Sequence, residues 1–234
     1  MRGGRRPVRW FRGQGGRTWL HVRLRWWTGP FGAVAALATS AAGEGVPLHV
    51  LDWGCGHGLL GLHLAEVERA TGRDVAVEGT DLDPAKVVSA RRAVAAAGLG
   101  PQISVRTVGP DDRPVGPVDV VVVNDVLYLM APERQERLVR AAAAAIGPGG
   151  LVICKEMGET PRWKARVVAA QERFTVGRLS VSATADVLGP FPPPPTVAGW
   201  LADEGLVTST IPLDRGYHSP HLAVVGRRDG RLHA

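Results

Sequence analysis

The stretch Leu51-Asp52-Trp53-Gly54-Cys55-Gly56-His57-Gly58 decides how this chain folds. An apolar run over Leu48–Asp52 leads into it, and a helical pattern over Leu59–Ala70 leaves it. Glycines between a strand and a helix let the backbone turn sharply and approach a ligand that a Cβ would hold off. Gly56, Gly58 and Gly61 also satisfy G-x-G-x-x-G, the spacing of a dinucleotide-binding turn. That register would leave Asp52, Trp53, Gly54 and Cys55 between the strand and its first glycine. It would also set a carboxylate beside an anionic pyrophosphate. A cationic ligand reverses the objection, because an acid beside the loop then attracts it.

Outward from this turn the chain alternates between strands and helices. Asp74–Thr80 reads as a second strand, and Asp83-Pro84 supplies an N-cap and a first-turn proline for a helix that runs to Ala97 and stops at Gly98. Ile103–Val108 alternates as a third strand, and Val118–Val123 is the continuous apolar run of a buried parallel strand. A helix from Pro132 through Ile146 and a strand over Leu151–Lys155 follow. After Glu156 the rhythm breaks. A helical pattern covers Arg162–Arg173, Phe191 precedes four consecutive prolines, and a short helix spans Thr196–Glu204. Two last strands, Leu206–Leu213 and His221–Arg227, are joined by too few residues for a crossover helix and must run antiparallel. The expectation is an α/β fold with a doubly wound, mostly parallel seven-stranded sheet and a terminal antiparallel hairpin. Residues 46–234 form this domain, 159–195 an insertion that caps it, and 1–45 an N-terminal arm.

The glycine segment resembles motif I of the class I S-adenosylmethionine-dependent methyltransferases, hydrophobic-Asp-hydrophobic-Gly-x-Gly-x-Gly, with Trp53 where a smaller aliphatic is usual. Further matches follow in order: Glu78-Gly79-Thr80-Asp81-Leu82-Asp83-Pro84 resembles motif II, VDVVVVNDVLYLM from Val118 resembles the fourth-strand motif, and IGPGGL from Ile146 the turn before strand five. The resemblance covers about residues 46–227 and implies S-adenosyl-L-methionine as cofactor. It implies that Asp52 anchors the cofactor's amino group, that Gly54, Cys55, Gly56 and Gly58 line it, and that Asp81, with Leu82 after it, takes both ribose hydroxyls. One carboxylate accepts from two hydroxyl donors, which is why that position needs an acid. Asp112, or Asp111 beside it, is the candidate for the adenine amino group, and Asn124 closes the set.

Methyl transfer is an in-line displacement in which the protein aligns the reactants and excludes water. Candidates for the acceptor side lie at the carboxyl end of the fourth strand, where open α/β sheets place their chemistry. Asp125 and Tyr128 stand there, Asp125 being equally suited to capping the following turn. His218 in the last connection is a third candidate, with Tyr217 and His221 nearby. Lys155 and Glu156 at the end of strand five could pair with each other. No Asn-Pro-Pro-aromatic or Asp-Pro-Pro-aromatic motif follows strand four, which argues against the usual methylation of nucleobase amines or glutamine. Neither the cysteine spacing nor any acidic cluster predicts a metal site.

The charge is unevenly divided. The 234 residues carry 28 Lys and Arg against 22 Asp and Glu, a formal +6, yet residues 1–43 hold eight Arg and no acid. The rest of the chain is thus nearly neutral. Four of the seven Trp, namely Trp10, Trp19, Trp26 and Trp27, lie in the basic segment. Interleaved Arg and Trp would attract a membrane surface or a nucleic-acid strand, or the Trp side chains could pack on the body. From Trp19 to Trp27 the apolar residues form one arc, with His21 and Arg25 opposite and Arg23 inside it. No apolar run is long enough to span a bilayer. Arg5-Arg6 ahead of Phe31–Ala42 superficially resembles an export signal, but the charged region is too long and contains Trp. The expected enzyme is a cytoplasmic methyltransferase, resting on the inner membrane surface through its arm, with a small-molecule or lipid-like acceptor. An RNA methyltransferase gripping phosphates with the arm, a relative that binds the cofactor without transfer, and a nucleotide-dependent oxidoreductase are the alternatives.

Overall fold

The computed structural model describes residues 7–43, 45–157, 192–217 and 220–229. After a 3-10 turn over Pro7–Phe11 come α1 (Gly16–Thr28), α2 (Phe31–Thr39), β1 (Leu48–Trp53), α3 (Leu59–Thr71), β2 (Val75–Asp81) and α4 (Pro84–Ala97). Then follow β3 (Ile103–Thr107), β4 (Val118–Asn124), a 3-10 turn over Leu127–Leu129, α5 (Pro132–Ala145), β5 (Ile146–Met157), α6 (Pro194–Asp203), β6 (Val207–Pro212) and β7 (His221–Arg227). The sheet order is β3-β2-β1-β4-β5-β7-β6. The first five strands in sequence pair in parallel, while β7 runs antiparallel to both β5 and β6. This is the expected seven-stranded sheet with its antiparallel hairpin. The expected helix over Arg162–Arg173, His218 and most of the proposed cap lie outside the described residues.

The central strands send alternate side chains to two apolar layers. Val50, Val120, Val122, Leu151 and Ile153 pack with α2, α3 and α4, while Leu51, Val121, Val123, Val152 and Cys154 pack with α5 and α6. Central β4 is buried on both faces from Val120 to Val123, which explains its unbroken valine run. Edge strand β6 is mostly exposed and carries Thr208, Ser209 and Thr210, side chains that suit a wet edge. The capping signals around α4 act as read: Asp83 Oδ1 accepts from Ala85 N at 2.8 Å, and Gly98 takes φ 63° past the last turn.

The segment read as an arm joins the core from Pro7 onward. Phe11, Val22, Val34 and Ala38 are fully buried in the layer shared with α3 and α4. Trp10 donates to Glu66 Oε1 at 2.6 Å, and Trp26 stacks on Phe31 with ring centroids 5.5 Å apart. Helix α1 divides its apolar arc between two sides. Val22, Trp19 and Trp26 face the body together with His21 and Arg25, whereas Leu20, Leu24 and Trp27 are 52%, 50% and 68% exposed. A buried ion pair, described next, helps to fix this orientation.

Candidate active site

The glycine turn is tied to the end of β2. Gly54 N and Cys55 N both donate to Thr80 O at 2.8 Å, and Gly56 N donates to Asp81 Oδ2 at 2.8 Å. Asp81 Oδ1 accepts from Asp83 N at 2.9 Å, so this carboxylate also shapes the entry to α4. Gly54, Gly56 and Gly58 have φ of 78°, 56° and 73°, a region that side-chain-bearing residues rarely adopt. At Gly54 a Cβ would also run into Val126, which closes the cradle from the β4 side.

Asp52 at the end of β1 is 2% exposed. Burial, and then the neighbouring charge of Asp81, push its carboxyl up to about 7. Two carboxylates brought together this way, without a basic partner bonded to Asp52 among the described contacts, are an unfinished electrostatic arrangement that a cationic ligand completes. Cys55 is no nucleophile: burial first, then Asp52 and Asp81, hold its thiol well above its ordinary range. Asn124 ends β4 beside the cradle, and its buried Oδ1 has no hydrogen-bond partner. Leu82 packs at the rim of the second apolar layer.

The expected adenine acids lie in the connection after β3. Asp112 Oδ2 accepts from Gly109 N at 2.8 Å within its own turn, and Asp111 lies 3.5 Å from Arg134. His57 turns away from the cradle toward the N-terminal segment, its Nδ1 3.0 Å from Ser89 Oγ and its ring against Phe11 and His21.

A second polar cluster gathers where β4, β5 and β7 meet. Asp125 has φ 56°, a left-handed conformation that costs free energy outside glycine and asparagine-like positions. The twist turns its carboxylate to the side of α1, where Lys155 Nζ donates to Oδ1 and Arg25 Nη2 to Oδ2, each at 2.6 Å. Burial alone would raise the Asp125 pKa, but Lys155 and Arg25 outweigh it and hold the carboxyl well below the usual range. Burial pushes Lys155 down, with Asp125 opposing. Asp125 therefore does not cap the turn with its side chain, and Lys155 does not pair with Glu156. Glu156 emerges on the opposite face, where its Oε1 accepts from Leu127 N at 3.0 Å and its buried Oε2 has no partner. Burial, then the Asp125 charge, push Glu156 up to about 8.

His221 completes the cluster. Its Nε2 lies 2.8 Å from Thr28 O, which can only accept, so Nε2 carries the proton and Nδ1 presents a lone pair. That Nδ1 is buried without a partner. Burial, then the positive charge of Lys155, hold His221 down at about 4, so it is neutral at physiological pH. Tyr217 meets the His221 ring edge-on at 5.5 Å, and Tyr128 lies in the 3-10 turn after β4. The geometry thus brings Asp125 together with Arg25 and Lys155.

Residues 50–150 match the methyltransferase domain family model. Over those residues the chain is similar to that family, and its sheet has the form of the class I S-adenosylmethionine-dependent methyltransferase fold. Among curated proteins it is similar to the ribosomal protein L11 methyltransferase of Teredinibacter turnerae, 33% identical over 113 residues, which cover 48% of this chain and 34% of that protein. Among solved structures it is similar to an O-methyltransferase family protein of Burkholderia thailandensis, with TM-score 0.60, 23% identity, and coverage of 86% of this chain and 59% of that one. It is also similar to magnesium protoporphyrin IX methyltransferase of Synechocystis, whose structure holds S-adenosylhomocysteine. There the TM-score is 0.66, with 20% identity and coverage of 95% and 93%. The chain thus spans about a third of the length of the curated relative it matches.

The cradle fits S-adenosylmethionine, the methyl donor of the family whose model these residues match. Asp52 and Asp81 offer negative charge to a molecule with an ammonium and a sulfonium, the loop presents bare backbone, and Asn124 Oδ1 awaits a donor. The activated methyl group is what the cofactor brings when bound. Holding and orienting it would fall to Asp52, Asp81, Asn124 and the glycine turn.

Proposed function

We propose that this methyltransferase acts on a small-molecule, lipid-like acceptor with an apolar body and an anionic end. One observation carries the reading: the triad Arg25–Asp125–Lys155 beside the cradle holds two cations around one carboxylate. Glu156, raised to about 8, is mostly protonated at neutral pH and does not balance the excess. Lys155 is wholly buried, but the Arg25 side chain is 37% exposed and is the part of the triad open to a ligand. An anionic group seated there gains a charge-assisted hydrogen bond in a partly dry setting.

The division of labour follows. Arg25 binds and orients the acceptor, Asp125 keeps Arg25 aimed, and Lys155 fixes Asp125 in its left-handed conformation. Tyr128 and Val126 bound the space between acceptor and cradle. An acceptor oxygen that is already anionic has no proton to lose, so alignment and exclusion of water are the main demands. Where the acceptor is a hydroxyl, the free Nδ1 lone pair of His221 is the described group able to take its proton. The fold itself does not choose among acceptors, since relatives named for a porphyrin and for a ribosomal protein share it.

The test is transfer of labelled methyl groups from S-adenosylmethionine into fractionated lipid, acidic small-molecule, protein and RNA pools. Label in the organic-soluble acidic fraction is expected, with Arg25→Ala raising KM more than it lowers kcat. Label confined to RNA or protein replaces this reading. Cofactor binding with no label in any pool means a relative that binds without transfer.

A further inference from the structure

The outward face of α1 is built for an interface. At about 100° per residue, its exposed side chains fall within an arc of roughly 140°. Leu20 and Trp27 lie at the centre with Leu24 beside them, while Arg23 and Arg17 stand at opposite edges. Between this face and the 3-10 turn runs a groove of about 1120 Å³ lined by Trp10, Trp19, Leu20 and Leu24, with Arg12 at its mouth. Arg23 is folded over Trp19, its guanidinium 5.0 Å from the ring centroid. No helix among the described residues is long and apolar enough to cross a membrane.

We infer that this face docks on an anionic lipid bilayer, with Leu20, Leu24 and Trp27 entering the interface and Arg12, Arg17 and Arg23 meeting headgroup phosphates. Charge complementarity selects the occupant. Among the described residues this face exposes Arg12, Arg17 and Arg23 and no acid, so a second copy applied to it would set arginine against arginine. A nucleic-acid strand would satisfy the charges and stack on Trp27, but would leave Leu20 and Leu24 without an apolar partner. A bilayer satisfies both demands, because apolar residues partition into the acyl boundary while arginines reach phosphate depth. The orientation is enforced rather than incidental: Val22, Trp26, His21 and Arg25 hold one side of α1 against the body, leaving Leu20, Leu24 and Trp27 out. The docking face adjoins the candidate acceptor site, since Thr28 at the end of α1 accepts from His221. Vesicle binding needs neither cofactor nor acceptor, so its outcome is independent of the transfer reaction.

The experiment is co-sedimentation of the full chain with phosphatidylcholine vesicles and with vesicles containing phosphatidylglycerol, at low and high salt, alongside single-stranded RNA. Binding to the anionic vesicles should be about tenfold or more tighter than to neutral ones, and should weaken with salt. Leu24→Ser with Trp27→Ser should lower vesicle affinity about tenfold or more while S-adenosylmethionine binding stays as it was. Equal binding to neutral and anionic vesicles overturns the inference, as does salt-sensitive RNA binding without vesicle binding. A dimer that the double variant dissociates, with vesicle binding unchanged, overturns it too.

Discussion

Asp52 and Asp81 do separate things with the same functional group, and their environments say which. Asp81 is bonded to the backbone of the cradle, so it positions the loop as well as any ligand. Asp81→Ala should weaken S-adenosylmethionine binding by about tenfold or more, equivalent to about 1.4 kcal/mol, measured by calorimetry; unchanged affinity would remove it from the site. Asp52, raised to about 7, is largely neutral below that pH and must lose a proton to meet a cation. Cofactor affinity should therefore fall as pH drops, by about tenfold between pH 8 and pH 6, and Asp52→Asn should flatten the profile. Asp125 was legible as a candidate from its place after the fourth strand, but its partners were not. Nothing in a linear chain couples position 25 to position 125; the wheel set Arg25 opposite the apolar arc without saying what it would meet. Lys155→Met leaves a buried carboxylate short of one cation and should cost about 3 kcal/mol in denaturant unfolding.

The N-terminal segment is the element that sequence reading least defined, and its attachment has a titratable seam. His21 lies against His57, His63 against Trp26, and His221 donates to Thr28. Burial lowers the pKa of all four, His57 and His221 to about 4. A histidine whose folded-state pKa lies below its ordinary 6.5 stabilises the fold fully above that pH and loses the contribution as pH falls toward 4. Hydrogen exchange should accordingly show residues 7–28 opening ahead of the central sheet as pH drops from 6.5 toward 4.5. Exchange that accelerates uniformly across the chain would contradict this. The remaining elements were readable because each carries local punctuation: Asp83-Pro84 and Gly98 bracket α4, and the valine run marks β4. Whether α1 faced inward or outward could not be read, because periodicity shows that a helix has two sides and not which one the body takes.

At the scale of the molecule, the parallel run of strands followed from the alternation, and the antiparallel hairpin from the short link before β7, which leaves no room for a crossover. The cradle lies at the carboxyl ends of β1 and β2, and the triad at those of β4 and β5. The cradle and the triad proposed to meet the acceptor thus lie at the same end of the sheet. S-adenosylmethionine at about a hundredfold excess over its Kd should raise Tm by about 5 °C or more, and NAD should leave it unmoved. The reverse result would restore the dinucleotide reading of the glycines. Arg25 and Leu24 are consecutive residues of one rigid rod, one touching Asp125 and the other touching solvent. Where a grip on the outside of that rod shifts the counter-ion within, thermodynamic reciprocity requires a guest held by the counter-ion to tighten or loosen the grip by the same factor. Substrate capture and surface attachment would then be two readings of one balance.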